Sequence, residues 1–317
     1  MLMQRTTRLA RRVVPWMVAA GLMTLLIERI GVDAILDAFA GANVALLLFG
    51  TLVCTAANFS IDAFSLSRGL SWFNVPVSFS QLAPVKASAY LVGILNYNVA
   101  SGGIALWVAR RFRVPFLEVV STLLFVNVVD ALLLVGLMAA GLPVLREPLS
   151  TAVQTIGAVA VVGFVAQYAF WRHGADVPVL GRIWAWPIVS SFRQARMSHY
   201  ATLGGMRLAF LLVFIGNYWL AVQAFHLDIP WLRVVAAVPV ISFVGVVPIT
   251  VAGLGTVQAA TIYLFRDDAS EASLLALSLA VTAVMTAMRA LLGLPFFAAV
   301  STELLTPPDA PAADSRS

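Results

Sequence analysis

The sequence predicts an all-α polytopic membrane protein with six full transmembrane helices and two re-entrant helical hairpins. Three observations carry this prediction. Of 317 residues, 61% are hydrophobic and only 11% are charged, and the mean hydropathy is +0.93. Long apolar stretches recur along the chain, and two of them are interrupted by glycine, proline or asparagine. A soluble enzyme, a nucleic-acid-binding module and a disordered chain are excluded, because so little charge cannot cover so much apolar surface in water.

Basic side chains outnumber acidic ones by 20 to 15, for a formal net charge of +5. They cluster between apolar stretches, where lysine and arginine set membrane orientation, so no nucleic-acid partner is expected. Cys54 is the single cysteine, which excludes an intrachain disulfide. The three histidines, His173, His199 and His226, match no metal-ligand spacing, and no cofactor or metal is expected.

The expected spans follow from the apolar stretches in chain order. The first, 13–27, follows an arginine-rich N-terminus and ends at Glu28 and Arg29 without a clear small-residue cleavage site. It is therefore interpreted as a retained anchor helix and not as a signal peptide. The other stretches are 38–61, 87–109, 119–145, 148–171, 208–227, 234–265 and 272–302.

Two stretches do not fit a simple crossing. Residues 234–265 are uncharged for 32 positions, which as a helix is about 48 Å long, whereas the hydrocarbon core is about 30 Å thick. Stretch 87–109 is broken by a run rich in glycine and asparagine. Backbone broken at membrane depth is tolerated only where it is buried in protein or lines a wet cavity. The expected hinges are Gly93, Gly102, Gly103, Pro248, Gly253 and Gly255.

Charge decides the topology. If 87–109 crossed the membrane fully, the arginines at 110, 111 and 113 would lie outside, against the positive-inside rule. A hairpin over about 78–110 that opens to the cytoplasm keeps them inside. Stretch 234–265 then forms a second hairpin that opens to the outside. Both termini are predicted to be cytoplasmic; eight ordinary transmembrane helices remain the alternative.

The predicted elements repeat. The order helix, helix, hairpin, helix occurs over about 13–140 and again, from the opposite face, over about 150–300. Both repeats belong to one integral-membrane domain, 1–306, and the tail 307–317 is expected to be disordered in the cytoplasm. Inverted repeats are typical of secondary transporters, which place substrate near discontinuous helices.

Three blocks resemble the flippase-like membrane domain of lysylphosphatidylglycerol synthases. Asn96, Gly102 and Arg110-Arg111, followed by Asp130, resemble its first block. Residues 248–260 resemble the second block, and Arg289 with Gly293 and Pro295 resembles the third. The resemblance covers about residues 13–300. The chain departs from the family at Gln258, where an acidic residue is frequent, and at Val126-Asn127, which stand where the family has an arginine.

The resemblance implies a stand-alone flippase-like transporter in the bacterial cytoplasmic (inner) membrane. The chain ends soon after helix 272–300, so the soluble aminoacyl-transferase domain and its lipid lysylation are not expected. The implied activity moves a lipid or lipid-linked headgroup between leaflets. Expected partners are anionic or isoprenoid-linked membrane lipids, with a second copy or a lipid-synthesis enzyme as open partners.

Lone charges within apolar helices are the leading candidate site residues. Asp130 and Arg289 each cost on the order of 2.5–3.5 kcal/mol at the bilayer centre, which makes a functional role the default hypothesis. We expect both to line a central cavity; the alternative is a structural ion pair. Lys86, Arg110 and Arg111 are candidates for holding a lipid phosphate, or for plain orientation signalling.

Uncharged polar residues at the hairpins complete the candidates. Asn96, Asn98, Ser101, Thr250 and Gln258 are expected to cap broken helix ends or to touch a headgroup.

Two other functions remain open. A membrane-embedded polyprenyl-phosphate glycosyltransferase would need acidic residues and a metal, for which Asp62 and Asp267-Asp268 are the candidates. Asp62 is otherwise interpreted as an interfacial charge near Arg68. A non-transporting accessory subunit is the third hypothesis.

Overall fold

A computed structural model describes residues 20–145, 150–173, 185–246 and 254–305. Every regular element in these ranges is a helix. The helices are 20–30 (α1), Val32–Ala40 (α2), Val44–Phe73 (α3), Phe79–Leu95 (α4), Tyr97–Phe112 (α5), Phe116–Leu145 (α6), Ser150–His173 (α7), the 3-10 turn Pro187–Val189, Ser190–Gln194 (α8), Met197–Ala224 (α9), Trp231–Val246 (α10), Thr256–Phe265 (α11) and Glu271–Leu305 (α12). Pro248, Thr250, Gly253 and the tail 307–317 lie outside the described residues.

Four of the described helices are long and apolar enough to cross a membrane: α3, α6, α9 and α12. Shorter apolar helices occur within α7 and as α10 and α11. The all-helical prediction is therefore confirmed.

The long helices alternate with pairs of shorter ones. Between α3 and α6 lie α4 and α5, and between α9 and α12 lie α10 and α11. Within each pair the two helices pack against each other. The order long helix, helix pair, long helix thus occurs twice among the described residues, and the inverted repeat itself stays a prediction. We call the α4–α5 pair hairpin 1 and the α10–α11 pair hairpin 2; whether they are re-entrant stays a prediction.

The chain divides into two compact units. The first contains residues up to 58, 130–166 and 204–288, and it includes hairpin 2. Its core is a continuous apolar cluster in which Phe265, Leu274 and Ala237 are fully buried.

The second unit contains residues 59–129, 167–203 and those from 289 onward, and it includes hairpin 1. An aromatic cluster lies in its core. Phe125 packs edge-on against three other rings, with centroid separations of 5.1 Å to Phe73, 5.5 Å to Phe192 and 4.7 Å to Tyr200.

In each unit a glycine brings a long helix close to a hairpin. In the second unit, a Cβ built on Gly293 of α12 would lie 2.5 Å from the carbonyl oxygen of Ala87 in hairpin 1. In the first unit, a Cβ on Gly141 of α6 would lie 2.9 Å from Cα of Ala236 in hairpin 2. Each hairpin therefore packs on the long helix that follows the other hairpin in sequence.

Helix boundaries differ from the sequence expectation near both ends of the stretch 38–61. The acidic connection 28–37 is largely helical, because Asp33 and Asp37 lie one turn apart on α2 while Ile35 is buried. Helix α3 continues to Phe73, well beyond the end of the apolar stretch at residue 61.

Candidate functional site

A buried ion pair joins α3 to hairpin 1 in the second unit. Lys86 Nζ lies 3.0 Å from Oδ2 of Asp62, and the side chains are 14% and 11% exposed. The hydroxyl of Tyr90 donates a hydrogen bond of 2.8 Å to the same carboxylate oxygen. Asp62 is buried within α3 and paired with Lys86, and its interpretation as an interfacial charge stays a prediction.

Arg289 of α12 adds a second cation to this cluster. Its guanidinium carbon lies 5.7 Å from the centroid of the Tyr90 ring, and Lys86 Nζ lies 5.9 Å from the same centroid. Phe59 packs edge-on against the ring at 5.7 Å. Aromatic faces attract cations at this range. Two cations thus meet at one ring beside the carboxylate of Asp62, so the charges of these residues sum to +1. We call them the Tyr90 cluster: Asp62, Lys86, Tyr90 and Arg289.

The close approach of α12 to α4 accounts for the position of Arg289. Gly293 lies one helical turn after Arg289 and contacts the hairpin backbone at Ala87 and Leu91. A side chain at position 293 would separate the two helices, and the cation would move away from Tyr90.

Asp130 is held by Arg207 in the first unit. Nε of Arg207 lies 2.5 Å from Oδ1 and Nη2 lies 2.7 Å from Oδ2, a bidentate arrangement. The guanidinium also lies 4.4 Å from the ring centroid of Phe210. The Arg207 side chain is 6% exposed and that of Asp130 is 30% exposed. The charges of Asp130 and Arg207 cancel, whereas those of the Tyr90 cluster leave a net positive charge.

The break in hairpin 1 lies at Asn96, within the predicted interruption. Asn96 has extended backbone, and its side-chain oxygen accepts hydrogen bonds from the backbone N–H groups of Asn98 and Val99 at 2.9 and 3.2 Å. It is the N-cap of α5. Ser101, Gly102 and Gly103 lie in the next turn of α5, and Gly93 lies in the last turn of α4.

Hairpin 2 resumes after its break at Gly255, which has φ of +85°, a conformation that favours glycine. The side-chain oxygen of Gln258 accepts a hydrogen bond of 2.7 Å from the Gly255 N–H, and Gln258 is fully buried. An amide side chain thus satisfies the N-terminus of the second helix in both hairpins.

The three cations proposed for a lipid phosphate have different partners. Lys86 pairs with Asp62, whereas Arg110 and Arg111 lie exposed in the last turn of α5. Arg111 Nη1 lies 3.7 Å from Oε1 of Glu303.

The Asp267-Asp268 pair lies between α11 and α12. Asp268 Oδ2 lies 3.1 Å from Nε of Arg233. Burial raises the pKa of Asp268, and the Arg233 guanidinium acts in the opposite direction.

Two residues of these clusters were not selected from the sequence. Arg207 borders the apolar stretch 208–227 and resembles an ordinary flanking charge, but α9 begins ten residues earlier, at Met197. Tyr90 resembles an interfacial aromatic residue. Its position one helical turn after Lys86 was the available signal.

Long apolar helices, interrupted helix pairs and buried charge clusters define a polytopic helical membrane protein. The chain belongs to the family described as the lysylphosphatidylglycerol synthase TM region, whose model matches residues 12–293. The suspected family is thereby confirmed, and it links the chain to lipid metabolism or transport. No curated protein shows a significant match to the chain.

Proposed function

We propose that this protein is a transporter, and not an enzyme, that moves an anionic lipid or lipid-linked headgroup between the leaflets of the bacterial cytoplasmic membrane. The Tyr90 cluster is the proposed headgroup site. The observation that carries this proposal is the meeting of Lys86 and Arg289 at one aromatic ring, beside the carboxylate of Asp62. Charge within apolar helices is costly and typically marks a substrate pathway.

The chemistry of the cluster suits a phosphate group. Arg289 offers a planar guanidinium that can hold two phosphate oxygens, and Lys86 offers a compact point charge. Asp62 keeps both Lys86 and the Tyr90 hydroxyl in place before the headgroup arrives. An arriving phosphate then shares Lys86 with Asp62, so the cation is never left unpaired.

The Asp130–Arg207 pair has a different proposed role. It is charge-balanced and bidentate, so it has no formal charge left to attract an anion. We assign it to holding α6 against α9. The two hairpins, which the predicted topology opens to opposite faces of the membrane, are the proposed elements that admit and release the headgroup.

The test is a leaflet-exchange assay in vesicles that contain the purified protein. Labelled phosphatidylglycerol, phosphatidic acid, polyprenyl phosphate and phosphatidylcholine are placed in the outer leaflet, and the loss of accessible label is followed over time. The anionic lipids are expected to exchange faster than phosphatidylcholine. Arg289→Gln and Lys86→Gln are expected to slow that exchange roughly tenfold or more, as the loss of one charge-assisted contact implies.

Arg29→Gln is the matched control, since Arg29 also pairs with a carboxylate, Glu271, but is 70% exposed. Its exchange rates are expected to equal those of the unaltered protein. Equal rates in Arg289→Gln and the unaltered protein, or no exchange of any lipid on the panel, would contradict the proposal.

A further inference from the structure

A cavity of about 390 Å³ lies in the second unit, among the start of α4, the end of α5 and the end of α12. Its polar lining includes Ser80, Gln81, Arg111 and Glu303. Apolar walls come from Val85 of α4 and Val300 of α12. The cavity therefore offers charge of both signs beside apolar surface.

The two charges of the cavity are only loosely joined. Arg111 and Glu303 lie 3.7 Å apart at their nearest atoms, beyond hydrogen-bond distance, and their side chains are 62% and 46% exposed. An exposed ion pair of this kind gains little from its own contact. Each group is therefore available to a ligand that carries the opposite charge.

Trp107 supplies an independent observation at the same cavity. It lines the cavity and is only 6% exposed. Its indole N–H has no hydrogen-bond acceptor within the part of the chain that the structure describes. A buried donor without an acceptor is costly, and an oxygen atom from a bound group would satisfy it.

The start of α4 strengthens the preference for an oxyanion. Ser78 caps this 17-residue helix through a capping box with Gln81, and Ser80 lies in the first turn. Helix N-termini attract negative charge. Arg111, the indole N–H and this helix end all favour an anion, whereas Glu303 favours a cation.

We propose that this cavity binds the headgroup of a zwitterionic phospholipid of the ethanolamine type. The phosphate binds Arg111 and the Trp107 N–H, and the primary ammonium, one ethylene linker away, binds Glu303. The apolar walls contact the glycerol and the first part of the acyl chains. This site is distinct from the Tyr90 cluster and binds lipid whether or not the protein moves lipid across the membrane.

The test is direct binding to the full chain in detergent. Short-chain phosphatidylethanolamine, phosphatidylglycerol and phosphatidylcholine are titrated in turn, and the Kd is measured by microscale thermophoresis. Phosphatidylethanolamine is expected to bind most tightly. Glu303→Gln is expected to weaken it roughly tenfold and to leave phosphatidylglycerol unchanged or tighter, because only the ammonium contact is lost.

Further variants separate the phosphate contacts. Arg111→Gln and Trp107→Phe are expected to weaken the binding of both phosphatidylethanolamine and phosphatidylglycerol. Trp107→Phe keeps an aromatic ring at this position and removes only the indole N–H. Arg113→Gln, an exposed arginine of the same cluster, is the matched control and is expected to leave every Kd unchanged. The midpoint of thermal unfolding shows whether each variant is folded. If Trp107→Phe does not fold, the proposal is decided by Glu303→Gln, which changes an exposed residue.

Two results would overturn the inference. One is equal affinity for the three lipids with no effect of Glu303→Gln. The other is equally tight binding of free phosphoethanolamine or inorganic phosphate, which would assign the cavity to a soluble ligand. Neither result bears on the proposed transport, which is judged from Arg289→Gln in vesicles.

Discussion

Arg207 donates two hydrogen bonds to the carboxylate of Asp130. In the order of long helices and hairpins, α6 corresponds to α12, and α9 corresponds to α3. Asp130 on α6 thus corresponds in place to Arg289 on α12, and Arg207 on α9 corresponds to Asp62 on α3. Asp130 is on α6, which follows hairpin 1, and Arg207 is on α9, which precedes hairpin 2. In the other unit the arginine, Arg289, follows hairpin 2, and the acid, Asp62, precedes hairpin 1. Each pair of helices that the predicted repeat makes equivalent thus carries one acid and one arginine, and Asp130 and Arg207 form a bidentate pair.

The Asp130–Arg207 pair is expected to contribute strongly to stability. Arg207→Ala leaves a partly buried carboxylate without its bidentate partner. We expect the free energy of unfolding to fall by about 3 kcal/mol. This value is at the lower end of the range for buried ion pairs because Asp130 is 30% exposed. Thermal unfolding in detergent measures this loss. The exchanged double variant, Asp130→Arg with Arg207→Asp, is expected to recover part of it.

The exposed pair between Arg29 and Glu271 is the control for this prediction. Arg29→Ala is expected to cost less than about 1 kcal/mol, because surface ion pairs contribute little. A cost for Arg207→Ala as small as that of Arg29→Ala would show that the bidentate pair does not hold α6 against α9.

Gly293 is expected to tolerate no side chain. A Cβ would lie 2.5 Å from the carbonyl oxygen of Ala87, so Gly293→Val must move α12 away from hairpin 1. We expect a destabilisation of about 1–3 kcal/mol, typical of overpacking, together with slower lipid exchange because Arg289 moves from Tyr90. Unfolding and vesicle exchange measure the two effects.

Gly136 provides the matched comparison for Gly293. It lies in the interior of α6, and a Cβ there meets nothing within 4 Å. Gly136→Ala is expected to be neutral, or stabilising by up to about 1 kcal/mol through helix propensity. Equal tolerance of side chains at both glycines would contradict the tight packing of α12 on hairpin 1.

Tyr90→Phe separates the two roles of Tyr90. The variant keeps the ring that faces Lys86 and Arg289 and removes the hydroxyl that donates to Asp62. We expect a stability loss of about 1.5 kcal/mol, the value for a hydrogen bond to a charged group, while Asp62 keeps its ion pair. Lys86→Met is expected to cost more, about 3–5 kcal/mol, because it strands Asp62. The reverse order in thermal unfolding would mean that Lys86 is not the main partner of the carboxylate.

The sequence predicted the helical pairs better than it predicted the charge clusters. A break in a helix depends on the residues at the break itself. Asparagine and glycine favour helix ends, and the backbone leaves helical geometry at Asn96 and at Gly255. Ion pairs depend on which helices pack together, and that information is distributed over the whole chain. Asp130 and Arg289 were visible as lone charges within apolar segments, but their contacts with Arg207 and Tyr90 join elements far apart in sequence.

The end of α3 was harder to locate from the sequence than its centre. Hydropathy locates the centre of an apolar span but not its end, because serine, arginine and tryptophan near residues 65–72 are compatible with either a helix or a loop. The helix in fact continues to Phe73, where Ser67 donates a hydrogen bond of 2.5 Å to the carbonyl of Val77 and holds the turn. Asp62 therefore lies within α3, where it is buried and pairs with Lys86.

The cap at the break of hairpin 1 is expected to be measurable. Asn96→Ala removes the side-chain oxygen that accepts from two backbone N–H groups, and we expect a loss of about 1 kcal/mol with faster hydrogen exchange in the first turn of α5. Asn96→Asp keeps the acceptor and is expected to retain most of the protection. Asn98→Ala is the control, since Asn98 contributes its backbone N–H to the cap. Identical exchange in Asn96→Ala and Asn98→Ala would argue against capping by Asn96.

Two re-entrant hairpins and eight full crossings place some exposed residues on different sides of the membrane, so labelling three exposed positions decides between the two topologies. In a variant with Cys54 replaced by alanine, single cysteines at Arg113, Asp228 and Asp267 are labelled with an impermeant maleimide from each side; all three residues are exposed. The hairpin topology requires position 113 inside and position 228 outside, because hairpin 1 returns its arginines to the cytoplasm. Eight full crossings require the opposite at both positions. Position 267 is outside in either topology and serves as the labelling control. A cysteine at position 113 that reacts only from outside would contradict the hairpin topology. The proposed access of lipid from opposite faces would then be wrong as well.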